Sequence, residues 1–214
     1  FADNANELAR AMANAGVTAP SGHASVIDAK DPDRVFDAAA QLGIGTVIDP
    51  FVPSERWQNA DDAYRIADRV NELQVLAAER NLRFGYHNHA YSFTKQDGQY
   101  PQDILMQNTN PDTVDFELDM YWAVTAGEDP TTWLQKYPNR FKLCHIKDRK
   151  KDAPPHEEDA SVDLGNGSID YKSILKKAES AGVEYYIVEQ EKYDNSTPLK
   201  SAQADAEYLK KLEI

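Results

Sequence analysis

The chain has 214 residues, 41% hydrophobic and 28% charged. That fits one globular domain and excludes a disordered, collagen-like or disulfide-scaffold chain. Lys and Arg total 23 against 36 Asp and Glu, a formal net charge of −13, which repels nucleic-acid phosphates and anionic lipid. No apolar run approaches the roughly 18 residues that span a bilayer, and a lone cysteine, Cys144, excludes an internal disulfide or a multi-thiolate metal site.

Residues 4–15 predict a helix, with Leu8, Met12 and Ala15 spaced i, i+4, i+7 and Gly16 as its stop. TAPSGHAS (18–25) predicts a short strand. Residues 31–42 predict a helix with Pro32 in its first turn and Gly43 after its end. IGTVIDPFV (44–52) is strand-like. A long helix follows over 60–80, with Ile66, Val70, Leu73, Leu76 and Ala77 on one face. LRFGYHNH (82–89) predicts a strand followed by a polar loop, and 100–109 a short helix. VDFELDMYW (114–122) predicts a strand, 129–138 a helix, and FKLCHIKDR (141–149) a strand. An acidic, Pro-containing loop leads to GNGS (165–168), read as a turn. A helix over 169–182, a strand over 183–191 and a last helix starting near Pro198 complete the chain.

Alternating strands and helices with short connectors imply parallel strands joined by helical crossovers. Two arrangements fit six such strands: an open doubly wound sheet, or an eight-stranded barrel lacking two strands, the full barrel needing about 250 residues. No composition shift marks an interdomain linker.

Side-chain alternation locates the chemistry. Arg83, Gly85, His87 and His89 share one strand face; so do Asp115, Glu117, Asp119 and Tyr121; so do Phe141, Leu143, His145 and Lys147; so do Tyr185, Ile187, Glu189 and Glu191. His23 sits near the end of its own strand. In a parallel barrel the C-terminal strand tips converge on one mouth. The tips here carry His87 with His89, His145, Asp119 and Glu189, a donor set suited to a divalent Mn, Co, Zn or Fe ion. Trp57, Trp122 and Tyr121 are candidate walls for a sugar pocket. Cys144 falls on the face opposite His145, as a packed thiol would.

The segments GYHNH (85–89), LDMYW (118–122), HIKD (145–148), GNGSIDY (165–171) and VEQE (188–191) resemble, in order, the motifs of the sugar isomerase/epimerase group of xylose isomerase-like TIM barrels. The resemblance covers nearly the whole chain. It implies an α/β fold, a (β/α)8 TIM barrel with the first two strands missing, so that residues 1–214 form one partial barrel domain of a protein longer by roughly 50–70 residues. It implies metal ligands Asp119, His145 and Glu189, with His87 where ketose epimerases carry a glutamate, around a divalent Mn, Co, Zn, Mg or Fe ion.

By the same resemblance Glu189 is the base, Lys147 or His89 serves a developing oxyanion or returns the proton, and His87 stands at the second acid/base position. His23, His89, Trp57 and Trp122 are the expected substrate contacts. The implied activity is a metal-dependent sugar isomerase or epimerase working through an enediolate. The alternative is a lyase of the inosose dehydratase type, or an eliminase on a keto-sugar or keto-glycoside, at the same metal site. The partner is then a small sugar or cyclitol, with neither nucleic acid nor membrane involved and a homo-oligomer left open. A related DNA-repair endonuclease would need more His and carboxylate ligands than these, and the charge of −13 opposes it. A non-catalytic sugar-binding barrel would keep the pocket without the chemistry. Cytoplasm is the default compartment; the chain opens at Phe1 with neither an initiator Met nor a basic-then-apolar leader, as expected of a piece whose true start is missing, and an exported form stays open.

Overall fold

A computed structural model describes residues 1–194 and 196–212. The elements in chain order are α1 (Ala5–Ala15), β1 (Ser21–His23), α2 (Pro32–Leu42), β2 (Thr46–Asp49), α3 (Ala60–Ala78), β3 (Arg83–His87), α4 (Pro101–Asn108), β4 (Val114–Asp119), α5 (Met120–Thr125), α6 (Pro130–Lys136), β5 (Phe141–Ile146), β6 (Asp148–Arg149), β7 (Ser161–Val162), α7 (Tyr171–Ser180), β8 (Tyr185–Val188) and α8 (Pro198–Lys211). Single 3-10 turns lie at Ser54–Arg56 and Ala90–Phe93, the second inside the expected polar loop. The fold is α/β: six strands form a parallel sheet in the order β1-β2-β3-β4-β5-β8, and β6 pairs with β7 separately. Among the described residues no helix is long and apolar enough to cross a membrane.

The chain divides into two compact units. Unit 1 holds Phe1–His87 and Lys95–Phe116; unit 2 holds Asn88–Thr94 and the chain from Glu117 onward, so the boundary falls inside β4. In unit 1, β1 and β3 flank β2 in parallel register, Gly22 facing Val47 and Val47 facing Phe84. Val47, Ile48 and Phe84 are fully buried, as are Ile66, Ala67, Val70 and Leu73 along one stripe of α3, the 3.6-residue spacing read from the sequence. Helix α2 begins where the Asp31 carboxylate accepts the Arg34 N–H (3.2 Å) and Pro32 needs no partner. Gly43 ends it in the left-handed conformation. Gly85 lets β3 approach β4: a Cβ there would stand 2.5 Å from the Asp115 carbonyl oxygen.

Unit 2 departs from the sequence reading at three strands, at two of them for a local hydrogen-bonding reason. The strand expected over 114–122 stops at Asp119, because the Asp119 carboxylate accepts the Trp122 N–H (2.9 Å) and caps α5. Tyr121 and Trp122 therefore sit on a helix, not a strand face. The strand expected over 141–149 breaks at Lys147. The Tyr171 hydroxyl accepts from the Lys147 N–H (2.8 Å) and donates to the Lys147 carbonyl (2.7 Å), taking both backbone groups out of the ladder. Asp148 and Arg149 then pair antiparallel with Ser161 and Val162. The GNG segment is a turn closed on Asp148, whose carboxylate accepts the N–H groups of Gly165 (3.0 Å), Gly167 (2.9 Å) and Ile169 (3.1 Å). The last strand is shorter than expected, Tyr185–Val188, with His145 facing Ile187 across the β5–β8 pair. Glu189 lies one residue beyond its end.

Candidate metal and proton-transfer site

Unit 2 gathers most of the residues singled out above. Asp119, at the tip of β4, is fixed from three sides. Its Oδ1 caps α5, and its backbone is clamped by Asn88, whose Oδ1 accepts the Asp119 N–H (3.0 Å) and whose Nδ2 donates to the Asp119 carbonyl (3.1 Å). Oδ2 is thereby turned toward His145 Nδ1 (3.5 Å) and Lys147 Nζ (3.3 Å). Glu189 brings its Oε2 to 3.2 Å from His145 Nδ1 and 2.8 Å from Lys147 Nζ. Glu191 adds a second contact to Lys147 at 3.1 Å, and Glu117 lies 3.2 Å from His145 Nε2.

These groups are deep. The Lys147 side chain is 0% exposed, and those of Glu117 and Asp119 are 0%, while Glu189 is 36% exposed and opens the cluster to solvent. Burial alone would strip the charge from each of them. For His145 burial pulls toward the neutral ring, but its hydrogen bonds to the carboxylates of Asp119 and Glu189 and the field of Glu117 override it and push its pKa up to about 10. Burial likewise opposes the Lys147 ammonium, and Asp119, Glu189 and Glu191 overcome it, holding the amine charged above its ordinary range. Burial works to raise Glu189, yet the bonds and charges of His145 and Lys147 bring it down to about 2.

Four carboxylates thus face two basic side chains, an excess of two negative charges around His145 and Lys147. Oxygen donors from Asp119 and Glu189 beside one imidazole nitrogen suit a hard or borderline divalent cation, so the residues present fit such an ion. The ion would take the place of a proton on His145, since an imidazole must be neutral to ligate.

Aromatic rings border the amine. Lys147 Nζ stands 5.0 Å from the ring centroids of both Tyr121 and Trp122. His89 stacks on Tyr91 (5.5 Å) and packs against Trp122 (5.1 Å). The expected contacts His89 and Trp122 therefore lie beside Lys147.

The remaining expected residues belong to unit 1. His87 is buried at the end of β3 and His23 is exposed at the end of β1, their rings 5.4 Å apart. Trp57, expected as a pocket wall, belongs to the core of unit 1: it is 2% exposed, packs on Tyr86 and donates its indole N–H to the Val52 carbonyl (3.1 Å). Cys144 is fully buried with its thiol pKa pushed well up by burial, the packed thiol expected.

Sequence reasoning passed over Asn88, Glu117 and Glu191. Alternation had put Glu117 and Glu191 on the right faces, but their partners are visible only once neighbouring strands are in register. Alternation had put Asn88 on the face opposite His87 and His89, and its clamp on Asp119 has no sequence signature.

The family model of the xylose isomerase-like TIM barrel matches residues 1–212. The chain belongs to that family. An inosose dehydratase from Clostridium perfringens (strain 13 / Type A) is 28% identical over 180 residues, 78% of this chain and 60% of that protein. The chain spans only 49–60% of the length of the curated relatives of this kind that it matches. A crystal structure of a sugar phosphate isomerase/epimerase from Parabacteroides distasonis ATCC 8503 superposes with a TM-score of 0.79 at 28% identity, covering 97% of this chain and 77% of that one. The IOLI protein, crystallised with a bound zinc atom, shares the fold with a TM-score of 0.77 at 16% identity, covering 96% and 80%.

Proposed function

We propose that the protein is a divalent-metal-dependent enzyme that abstracts a proton beside the carbonyl of a neutral keto-sugar or cyclitol, an isomerase or epimerase in its leading form. The cluster of Asp119, His145, Lys147 and Glu189, with Glu117 and Glu191 bringing the carboxylates to four against two basic side chains, carries this reading. Asp119, His145 and Glu189 would hold the ion, with His87 as the fourth ligand on the strength of its place in the motif order. A bound divalent ion supplies Lewis-acid stabilisation of negative charge on a substrate oxygen.

The chain's own groups supply the proton chemistry. Glu189, ionised at neutral pH and open to solvent, takes the proton from carbon, and the C–H electron pair forms the enediolate. Lys147, held charged, donates to the oxygen where negative charge develops. Return of the proton to the neighbouring carbon gives the isomer, and return to the opposite face gives the epimer. Departure of a β-hydroxyl as water gives a dehydrated ketone. The inosose dehydratase relatives, at 26–28% identity, favour that last outcome as the second reading. His89 and Trp122 offer flat apolar surfaces to a sugar ring. The excess negative charge opposes a phosphorylated substrate.

Two measurements test the reading: metal content by elemental mass spectrometry, for the wild type and an Asp119→Ala, His145→Ala double variant, and deuterium uptake at the α-carbon of neutral keto-sugars and keto-cyclitols in D2O. About one Mn, Co, Zn, Mg or Fe per chain, lost in the variant together with deuterium uptake, is the expected result. No metal after reloading, or metal without exchange on any substrate, overturns the proposal. The second outcome would leave a sugar-binding protein.

A further inference from the structure

The two nitrogens of His145 face different company, and the sequence gives no sign of it. Nδ1 looks toward Asp119 and Glu189, the proposed ligands. Nε2 looks the other way, 3.2 Å from the Oε2 of Glu117. Glu117 is fully buried on β4, two residues before Asp119, and its side chain takes no part in the proton chemistry proposed above.

An ionised carboxylate is an acceptor only: Asp119 and Glu189 draw the ring hydrogen to Nδ1 and Glu117 draws it to Nε2, and a cation held by Asp119 and Glu189 would leave Glu117 as the acceptor for the hydrogen that remains. A neutral imidazole carries one hydrogen. Fixing that hydrogen on Nε2 leaves the Nδ1 lone pair directed at Asp119 Oδ2 and Glu189 Oε2. A carboxylate behind a ligating histidine also makes the ring a stronger donor and holds its plane. The backbone makes this pairing hard to lose. Glu117 and Asp119 alternate along one strand, so the clamp of Asn88 and the cap of α5 that fix Asp119 also fix the segment bearing Glu117.

We infer that Glu117 is a positioning residue for His145: it pins the Nε2–H tautomer and so assigns Nδ1 as the metal-binding nitrogen. This rests on the metal reading above. Glu117 touches neither the ion nor the substrate in this scheme and acts through the imidazole alone.

The test uses zinc as the probe. Zinc affinity is measured by competition with a chromogenic chelator for the wild type, Glu117→Gln and Glu117→Leu. The His145 ring is read by long-range 1H–15N correlation in the zinc-loaded proteins, and circular dichroism confirms folding. The wild type is expected to show Nδ1 on zinc and a protonated Nε2. Glu117→Leu should lose roughly 10- to 100-fold in zinc affinity and show a mixture of ring nitrogens on the metal. Glu117→Gln keeps an acceptor oxygen and should hold the tautomer with a loss of only a few-fold. Zinc on Nε2 in the wild type would overturn the inference. So would a Leu variant with unchanged affinity and ring signals. If Leu does not fold, a Gln variant with unchanged Nε2–H shift and exchange rate overturns it, because the hydrogen would not then be held by the carboxylate. A wild type that takes up no zinc overturns the metal reading itself; zinc uptake with unmoved variants overturns this inference alone.

Discussion

Each unit ends a parallel strand on a buried aspartate, and the two aspartates are used in opposite ways. In unit 1, Asp49 closes β2 and its carboxylate is saturated by backbone: Oδ2 accepts from Val26 (2.6 Å) and Ile27 (2.7 Å), and Oδ1 from Phe51 (3.2 Å). In unit 2, Asp119 closes β4 and gives one oxygen to the backbone, as a helix cap; the other faces an imidazole and an ammonium. Backbone donors cannot titrate, move or be displaced by a ligand. Side-chain cations can do all three. Residue type and strand position alone therefore do not separate a scaffold carboxylate from a reactive one; the partners do.

The sharpest break between the two regions is catalytic. Glu189→Gln keeps the shape of the side chain but removes the proposed base. Solvent exchange of the substrate α-proton should fall roughly 10²- to 10⁴-fold. Exchange retained at the wild-type rate would take the base role away from Glu189.

The converse variant is Asp49→Ala. It strips the acceptor from three backbone N–H groups, two of them on buried residues. Each such loss costs about 1–3 kcal/mol, so unfolding by urea should show a loss of about 3 kcal/mol or more. A loss within experimental error would mean that other acceptors or water replace the carboxylate.

Tyr171→Phe tests how unit 2 holds its chemistry in place. The hydroxyl bonds both backbone groups of Lys147, and Tyr171 is fully buried. Removing it leaves the Lys147 N–H and C=O without that partner, a loss of about 2 kcal/mol. Because the Lys147 ammonium is carried on this backbone, kcat should fall with little change in KM. An unchanged kcat beside the stability loss would make the tyrosine purely structural.

How much of this was legible in the sequence follows from the kind of interaction involved. The strand–helix alternation and the stripe on α3 were legible because period 3.6 and period 2 are local properties. The same rule placed Asp119, His145, Lys147 and Glu189 at strand tips, and the structure brings these four together. The strand over 114–122 ran too long because Met120, Tyr121 and Trp122 suit a strand as well as a helix; the Asp119 cap decided the matter. Glu117 was visible on the right face but unassigned, since its partner lies 28 positions away, across a register that local patterning does not encode. The clamp of Asn88 on Asp119 and of Tyr171 on Lys147 are equally non-local, spanning 31 and 24 positions.

The smallest effect separates acceptor from charge at Asp49. Burial is the largest influence on this carboxyl and raises its pKa above the ordinary 3.8, despite the three N–H groups that favour the anion. A raised acid pKa means that the folded state binds its proton more tightly than the unfolded chain does. That contribution is complete below the unfolded value and is lost as pH rises through the folded one. An asparagine keeps an acceptor oxygen for Val26 and Ile27 without the buried charge. Asp49→Asn should therefore cost far less than Asp49→Ala at pH 7. Its stability relative to the wild type should also improve as the pH rises from about 3 to 7. Urea midpoints at those two pH values measure it. A relative stability that worsened as pH rose would show that the backbone N–H groups outweigh burial, and that the scaffold aspartate, like the reactive one, owes its place to its charge.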